Sequence, residues 1–265
     1  MCVTLGFPRV PALVSEAFVL RTYPFKEADL VVSFLTRDQG KLRGIARRAR
    51  RPKNKFGSGL ERLSHVRVAY YQRPTRELVY LDSCELIRSQ FALFAHYEAS
   101  IALDFIAELC EQLLPPGEAN DRFFRLLTAV LEHLRSGEPG AVWRGATYFA
   151  LWAVRLSGLL PDLEACMGCG AWLADPSAWE RAFFTRGRPG LLCGSCRAAL
   201  ARSSSWELAA VSRGAAAEIL TKPVGECCKT GWSRETCSDL RHFLVQQIET
   251  HIERKLVTVP TLEAV

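Results

Sequence analysis

No apolar run in this chain of 265 residues approaches the roughly 20 residues that a membrane-spanning helix needs. The longest, around Ala146 to Val154, is far too short. The opening MCVTLGFPRVPALVSE places Pro8, Arg9 and Pro11 where a signal peptide wants an unbroken apolar core. The expectation is a soluble, cytoplasmic protein without a membrane partner. A phosphate-cradling loop is missing, because Gly40-Lys41 has neither the upstream glycine nor the following hydroxyl. Gly57-Ser58-Gly59 is not completed by the third glycine of a dinucleotide fingerprint. The five histidines are scattered, with no pair at metalloprotease spacing. His242 and His251, and the helical face Asp104, Glu108 and Glu111, read as solvated positions. Nothing resembles a reaction centre, so a non-enzyme is expected.

The most informative absence is local. From Lys41 to Lys55 there is no carboxylate, while eight cations occur: Lys41, Arg43, Arg47, Arg48, Arg50, Arg51, Lys53 and Lys55. The whole chain has 34 Lys plus Arg against 28 Asp plus Glu; without these eight, 26 cations face 28 acids. The net charge of +6 is thus the property of one segment. A stretch that repels itself this strongly is usually held near a polyanion, the alternative being a solvated surface loop.

Cysteine is plentiful, at ten residues. In a reducing cytosol these need a reason other than disulfides. Four are grouped as Cys166/Cys169 and Cys193/Cys196, two C-x2-C pairs separated by 23 residues. Two such turns can present four thiolates to a tetrahedral Zn²⁺, closed and structural, one ion per chain. Gly168, Gly170 and Gly194 allow the tight backbone required. A redox dithiol at Cys193-Gly-Ser-Cys196 and unliganded thiols are the competing readings. Cys84 and Cys110 sit in apolar segments and read as core residues. The Cys227-Cys228 pair has no functional explanation.

The first third alternates with period two. Glu16–Tyr23, Asp29–Arg37, Lys41–Arg47, His65–Tyr71 and Arg76–Ile87 read as five short strands, divided by turns at Asp38-Gln39-Gly40 and Arg73-Pro74-Thr75. Five strands in such a length suit a small barrel, whose closure removes exposed edges. Tyr70, Tyr71 and Phe56 are possible stacking surfaces for bases, with core packing the favoured reading of Tyr70. Beyond Arg88 the period becomes helical. Stripes run through Phe94–Leu109, Phe123–Leu134, Val142–Ala153 and Leu240–Ile252. Ser204 and Glu207 look like a capping box before a further helix. The fold class expected is α+β multidomain: an extension at 1–15, a barrel at 16–87, and a helical domain at 88–265 with the cysteine module at about 162–200.

Three stretches carry a family resemblance. EAFVLRTYPFKEADLVVSFLTRDQGKLRGIARRARRPKNKF resembles the opening of the RecO family of bacterial recombination mediators. LSGLLPDLEACMGCG and PGLLCGSC are similar to the entry and exit of that family's zinc module. Arg47-Arg48 stands where relatives usually carry Lys-Gly, and Asn54 where serine is common. The resemblance implies an oligonucleotide-binding (OB) barrel, a helical C-terminal domain with bound zinc, and binding of single- and double-stranded DNA. It also implies ATP-independent annealing and partnership with RecR, with the C-terminal tail of the single-stranded-DNA-binding protein SSB, and functionally with RecA. The helical half, with 18 basic and 20 acidic residues after position 87, leaves room for a zinc-stapled docking adaptor. Arg122, Arg125, Arg144 and Arg155 are candidates to hold an acidic tail. An RNA-binding OB protein is a third reading.

Overall fold

The computed structural model describes residues 12–73, 77–173, 181–200, 204–227 and 232–264. Most of the expected extension, the Pro74-Thr75 turn, Arg76, Cys2 and Cys228 lie outside them. Five strands come first: β1 (Leu13–Phe25), β2 (Asp29–Thr36), β3 (Gly40–Ala46), β4 (His65–Tyr71) and β5 (Val79–Arg88). They close into a barrel in the order β1-β2-β3-β5-β4, as the alternation predicted. Neighbours are antiparallel except β3 and β5, which run parallel through Gly44↔Val79, Ile45↔Tyr80 and Ala46↔Leu81. This five-stranded closure is the OB arrangement. β1 starts at Leu13, because Leu13 to Phe18 pair with Tyr70 to His65 on β4.

Alternation decides what lies inside. Val32 and Phe34 of β2, Ala46 of β3, Val66, Val68 and Tyr70 of β4, and Val79 and Leu81 of β5 form the barrel core with Ala17 and Val19. Tyr70 is fully buried. Burial pushes its phenol up to about 12, with the Asp38 charge adding to the effect. Phe56 is also in this core, at 2% exposure. Of the three possible stacking rings, two therefore pack inward and only Tyr71 remains half-exposed. The segment Leu114–Phe124 groups with the barrel as one compact unit. Gly117 N–H donates to the Lys41 carbonyl at 2.9 Å, and Phe124 packs on Phe18 at 4.8 Å between ring centroids.

The second unit holds Leu93–Leu113 and the chain from Arg125 onward. The helices in chain order are α1 (Phe91–Phe94), α2 (Tyr97–Leu113), α3 (Asp121–Leu134), α4 (Ala141–Leu156), α5 (Gly194–Ala198), α6 (Ala210–Thr221), α7 (Val224–Cys227), α8 (Arg234–Ile252) and α9 (Val259–Glu263). Two further strands, β6 (Ala182–Thr185) and β7 (Ser205–Leu208), form an antiparallel pair. α4 is the hub, packing on α2 and α8. Buried Arg241 of α8 donates to the Trp143 carbonyl at 3.2 Å and to Thr147 Oγ1 at 2.9 Å on α4.

Three local expectations are corrected. Ser204 and Glu207 do not cap a helix; Ser205–Leu208 is a strand, because Trp206 and Leu208 alternate against Phe184 and Ala182 of β6. Glu207 instead accepts from Arg181 Nε at 2.8 Å, and the helix that follows starts at Ala210, where Asp239 accepts from the preceding Ala209 N–H at 3.0 Å. Glu108 is not solvated. It is 9% exposed and accepts from Val257 N–H at 2.8 Å and from Thr258 N–H and Oγ1 at 2.9 and 2.6 Å. His242 is half-buried against Phe184 and Trp206, since α8 is buried along most of its length.

Candidate nucleic-acid interface and metal centre

The cationic stretch begins on β3 and continues as the loop towards β4. Seven of its eight cations, Arg43, Arg47, Arg48, Arg50, Arg51, Lys53 and Lys55, are exposed. Lys41 departs from the group. It is only 8% exposed, its strand lying beside Pro116.

The loop is held through its backbone N–H groups and by apolar anchors. Arg48 N–H donates to Asp29 Oδ1 at 2.8 Å, and Arg50 N–H to the Ala28 carbonyl at 3.0 Å. Asn54 Oδ1 accepts from Phe56 N–H and Gly57 N–H at 2.9 and 3.0 Å. Ala49 and Phe56 point into the barrel core. Side chains between these anchors face solvent. Lys55 pairs with Asp82 at 3.1 Å, with both groups about half-exposed, so the pair contributes little. Arg47 lies over the Tyr80 ring at 4.9 Å. Arg48 and Lys53 both adopt left-handed backbone, with φ of 57°, a conformation that costs a residue with a Cβ about 1–2 kcal/mol.

The four grouped cysteines come together in the second unit. Their sulfur atoms all lie within 4.8 Å of one another, and Cys169 and Cys193 Sγ are 3.7 Å apart. Sulfurs about 2.3 Å from a shared ion, at tetrahedral corners, are about 3.8 Å apart, so the set fits a metal.

Backbone pairing builds it. Cys166 N–H donates to the Ala171 carbonyl and Gly170 N–H to the Cys166 carbonyl, each at 2.8 Å. Met167 N–H donates to the Leu191 carbonyl at 2.8 Å, bringing the second pair alongside the first. Gly170 has φ of 74°. A Cβ on Gly168 would stand 3.0 Å from Cys196 Sγ; only glycine leaves that sulfur its place.

Charge at the four sulfurs is uneven. Burial pushes the Cys166 thiol up, but N–H groups of Cys193, Cys169 and Gly168 aimed at it outweigh burial and bring it down to about 6. Cys196, hydrogen-bonded by the thiols of Cys169, Cys193 and Cys166, is pushed up to about 12. One thiolate is welcome; a full set requires a cation among them.

The arginine candidates for an acidic tail separate. Arg122 and Arg125 are exposed on α3, whereas Arg144 lies over Trp143 and donates to the Pro139 carbonyl. Arg155 lines a cavity of about 620 Å³ together with Leu160, Leu163, Leu173, Leu220 and Arg213. Arg213 was not singled out in the sequence, because nothing in its local pattern marks the cavity. Tyr23 and Tyr80, half-exposed on the barrel exterior, were also passed over; strand parity from Val79 and Leu81 inward would have found Tyr80.

Residues 12–90 match the family model described as "Recombination protein O N terminal", and residues 95–259 match "Recombination protein O C terminal". The chain is 46% identical over 250 residues to the DNA repair protein RecO of Koribacter versatilis, covering 94% of this chain and 97% of the relative. It is 34% identical over 175 residues to the RecO of an Anaeromyxobacter strain, covering 66% of each. It is also 32% identical over 179 residues to that of Syntrophotalea carbinolica, covering 68% of this chain and 67% of the relative.

The left-handed backbone at Arg48 yields a prediction with two signs. Arg48→Gly should raise stability by about 1 kcal/mol, because strain is relieved while the bond from its N–H to Asp29 is kept. The same change should weaken polyanion binding, making the salt slope shallower by about 0.7. Denaturant midpoints and salt titrations read the two effects; a fall in stability contradicts the strain assignment.

Proposed function

Because this chain belongs to the RecO family of DNA repair proteins, we propose that it is a non-enzymatic recombination mediator that binds single- and double-stranded DNA and anneals complementary strands. The observation that carries this reading is the exposure of seven cations, Arg43 on β3 and six along the anchored loop that follows it, on an OB barrel.

Two complementary strands repel through their phosphates before any base pair forms. A dense cationic surface lowers that repulsion and raises local strand concentration without reading sequence. Annealing is downhill once strands meet, so no nucleotide hydrolysis is needed. In this role the protein works in the cytoplasm at the nucleoid, with RecR and the SSB tail as partners and RecA loading as the outcome.

With about six phosphate contacts, log affinity for a single strand should fall with log salt at a slope near −4. Replacing Arg47, Arg48, Arg50 and Arg51 with alanine should flatten the slope to about −1.4 and slow annealing of SSB-coated strands without ATP. Unchanged slope and annealing would reject the loop as the DNA surface. Preference for RNA over DNA in direct competition would favour the RNA-binding reading.

The four cysteines are assigned to structural zinc. With Cys166, Cys169, Cys193 and Cys196 as thiolate ligands, no coordination position is left open. The ion therefore organises the module and does not activate water. Purified protein should carry one zinc per chain, and chelation should lower the melting temperature. A folded, metal-free protein with four titratable thiols rules this out.

The cavity beside Arg155 supports an adaptor activity in the same molecule. A tail that ends in acidic and apolar residues needs a cation beside leucines; Arg155 and Arg213 stand there with Leu160, Leu163 and Leu220, in a lining that also carries Asp162 and Glu164. Arg155→Glu should weaken binding of an SSB tail peptide about tenfold or more. Equal binding by the variant removes the tail from this cavity.

A further inference from the structure

A row of half-exposed side chains crosses the outside of the barrel at the foot of the cationic loop. Register puts Tyr23 of β1 opposite Val31 of β2, Val31 opposite Ile45 of β3, Ile45 beside Tyr80 of β5, and Tyr80 opposite Tyr71 of β4. Val32, Ala46, Val79, Leu81 and Tyr70 belong to the core. Successive residues of a strand face opposite ways, so Val31, Ile45, Tyr80 and Tyr71 face outward. All five members of the row are half-buried. Three aromatic rings on two aliphatic neighbours thus remain in contact with water.

Cations are interleaved with this row. Arg21 lies over Tyr23 at 5.2 Å, Arg47 over Tyr80 at 4.9 Å, and Arg73 over Tyr80 at 6.0 Å. Among the described residues, none of the three is paired with a carboxylate. Arg47 belongs to the exposed loop and to this row at once, so the two surfaces are continuous. A purely apolar partner would leave the guanidiniums desolvated at a cost. A strand of nucleic acid offers both what the rings want and what the arginines want: flat bases to stack and phosphates to pair.

We propose that Tyr23, Tyr80 and Tyr71, on the Val31–Ile45 floor, form a base-stacking ledge that distinguishes single-stranded nucleic acid from a bare polyanion. The inference deepens the DNA-binding reading and rests on it. Duplex hides its base faces, so it gains from the loop cations but not from the ledge.

The test uses the full-length protein and two probes of equal length and charge: an oligothymidylate and an abasic oligomer with the same phosphates. The native chain should bind oligothymidylate at least about fivefold more tightly. Tyr23→Leu, Tyr80→Leu and Tyr71→Leu combined should erase that preference while leaving the salt slope unchanged. Tyr80→Phe, which keeps the ring, should retain the native preference with the other tyrosines in place. The leucine variant must melt cooperatively; if it does not, Tyr80→Leu alone is compared with Tyr80→Phe, and equal preference in the two overturns the ledge. A native chain without preference, or a folded leucine variant that keeps it, overturns the ledge while the cationic loop stands. Failure of both probes to bind the native chain at low salt overturns the DNA-binding reading and the ledge together.

Discussion

Like charges must be held close together against their mutual repulsion, and the architecture of the barrel's long loop follows from that constraint. Two unit charges about 8 Å apart in water repel by about 0.5 kcal/mol before screening, and seven exposed cations make many such pairs. Neutralising them with carboxylates would stabilise the loop and abolish its field. The chain instead fixes the backbone and leaves the cationic side chains exposed. Asp29 spends its carboxylate on the Arg48 N–H, Asn54 caps Phe56 and Gly57, and Ala49 and Phe56 are driven into the core. Backbone bonds and apolar anchors resist the repulsion without cancelling it. Left-handed φ at Arg48 and Lys53 is part of the same solution: a loop that turns sharply keeps the cations outside while its two anchors stay inside.

How much of this was legible depends on the range of the interaction involved. The barrel strands were readable because half-burial imprints a period of two on Val66, Val68 and Tyr70 or Leu30, Val32 and Phe34. The C-x2-C pairs were readable because both ligands of a turn are neighbours in sequence. Lys41 was counted with the loop because charge carries no signature of burial; its strand runs beside Pro116, a segment 75 positions away in the chain. Glu108 shows the same limit. Helical spacing puts it in line with Asp104 and Glu111, but the N–H groups that take up its carboxylate belong to Val257 and Thr258. The capping-box error at Ser204 and Glu207 has a different origin. A serine three residues before a glutamate fits a helix start and an alternating strand equally well, and only the β6 partner decides between them.

The cysteine module answers the opposite electrostatic problem. Four thiolates repel just as the loop cations do, yet they are partly withdrawn from water, where exposure cannot relieve the strain. Backbone N–H groups ease one of them, bringing Cys166 down to about 6. The same crowding by neighbouring thiols pushes Cys196 the other way, well above the usual thiol range. Amides ease one sulfur and not the whole set, and four sulfurs this close together fit a metal ion among them. The glycine at 168 serves that end by removing the one Cβ that would stand against Cys196.

Charge alone gives a surface poor discrimination. Its field fades over about 8 Å at physiological ionic strength and treats phosphates of any polymer alike. Any ability to tell an open strand from a closed duplex must come from groups that respond to bases, and such groups would have to lie within reach of the cations. The barrel meets that condition through parity. Residues alternate between core and exterior, so packing Tyr70, Val79 and Leu81 inward obliges Tyr71 and Tyr80 to face out, Tyr80 beneath Arg47 and Arg73. The register that closes the hydrophobic core is therefore the same register that aligns the rings. A one-residue slip would bury the rings and expose the core residues in their place.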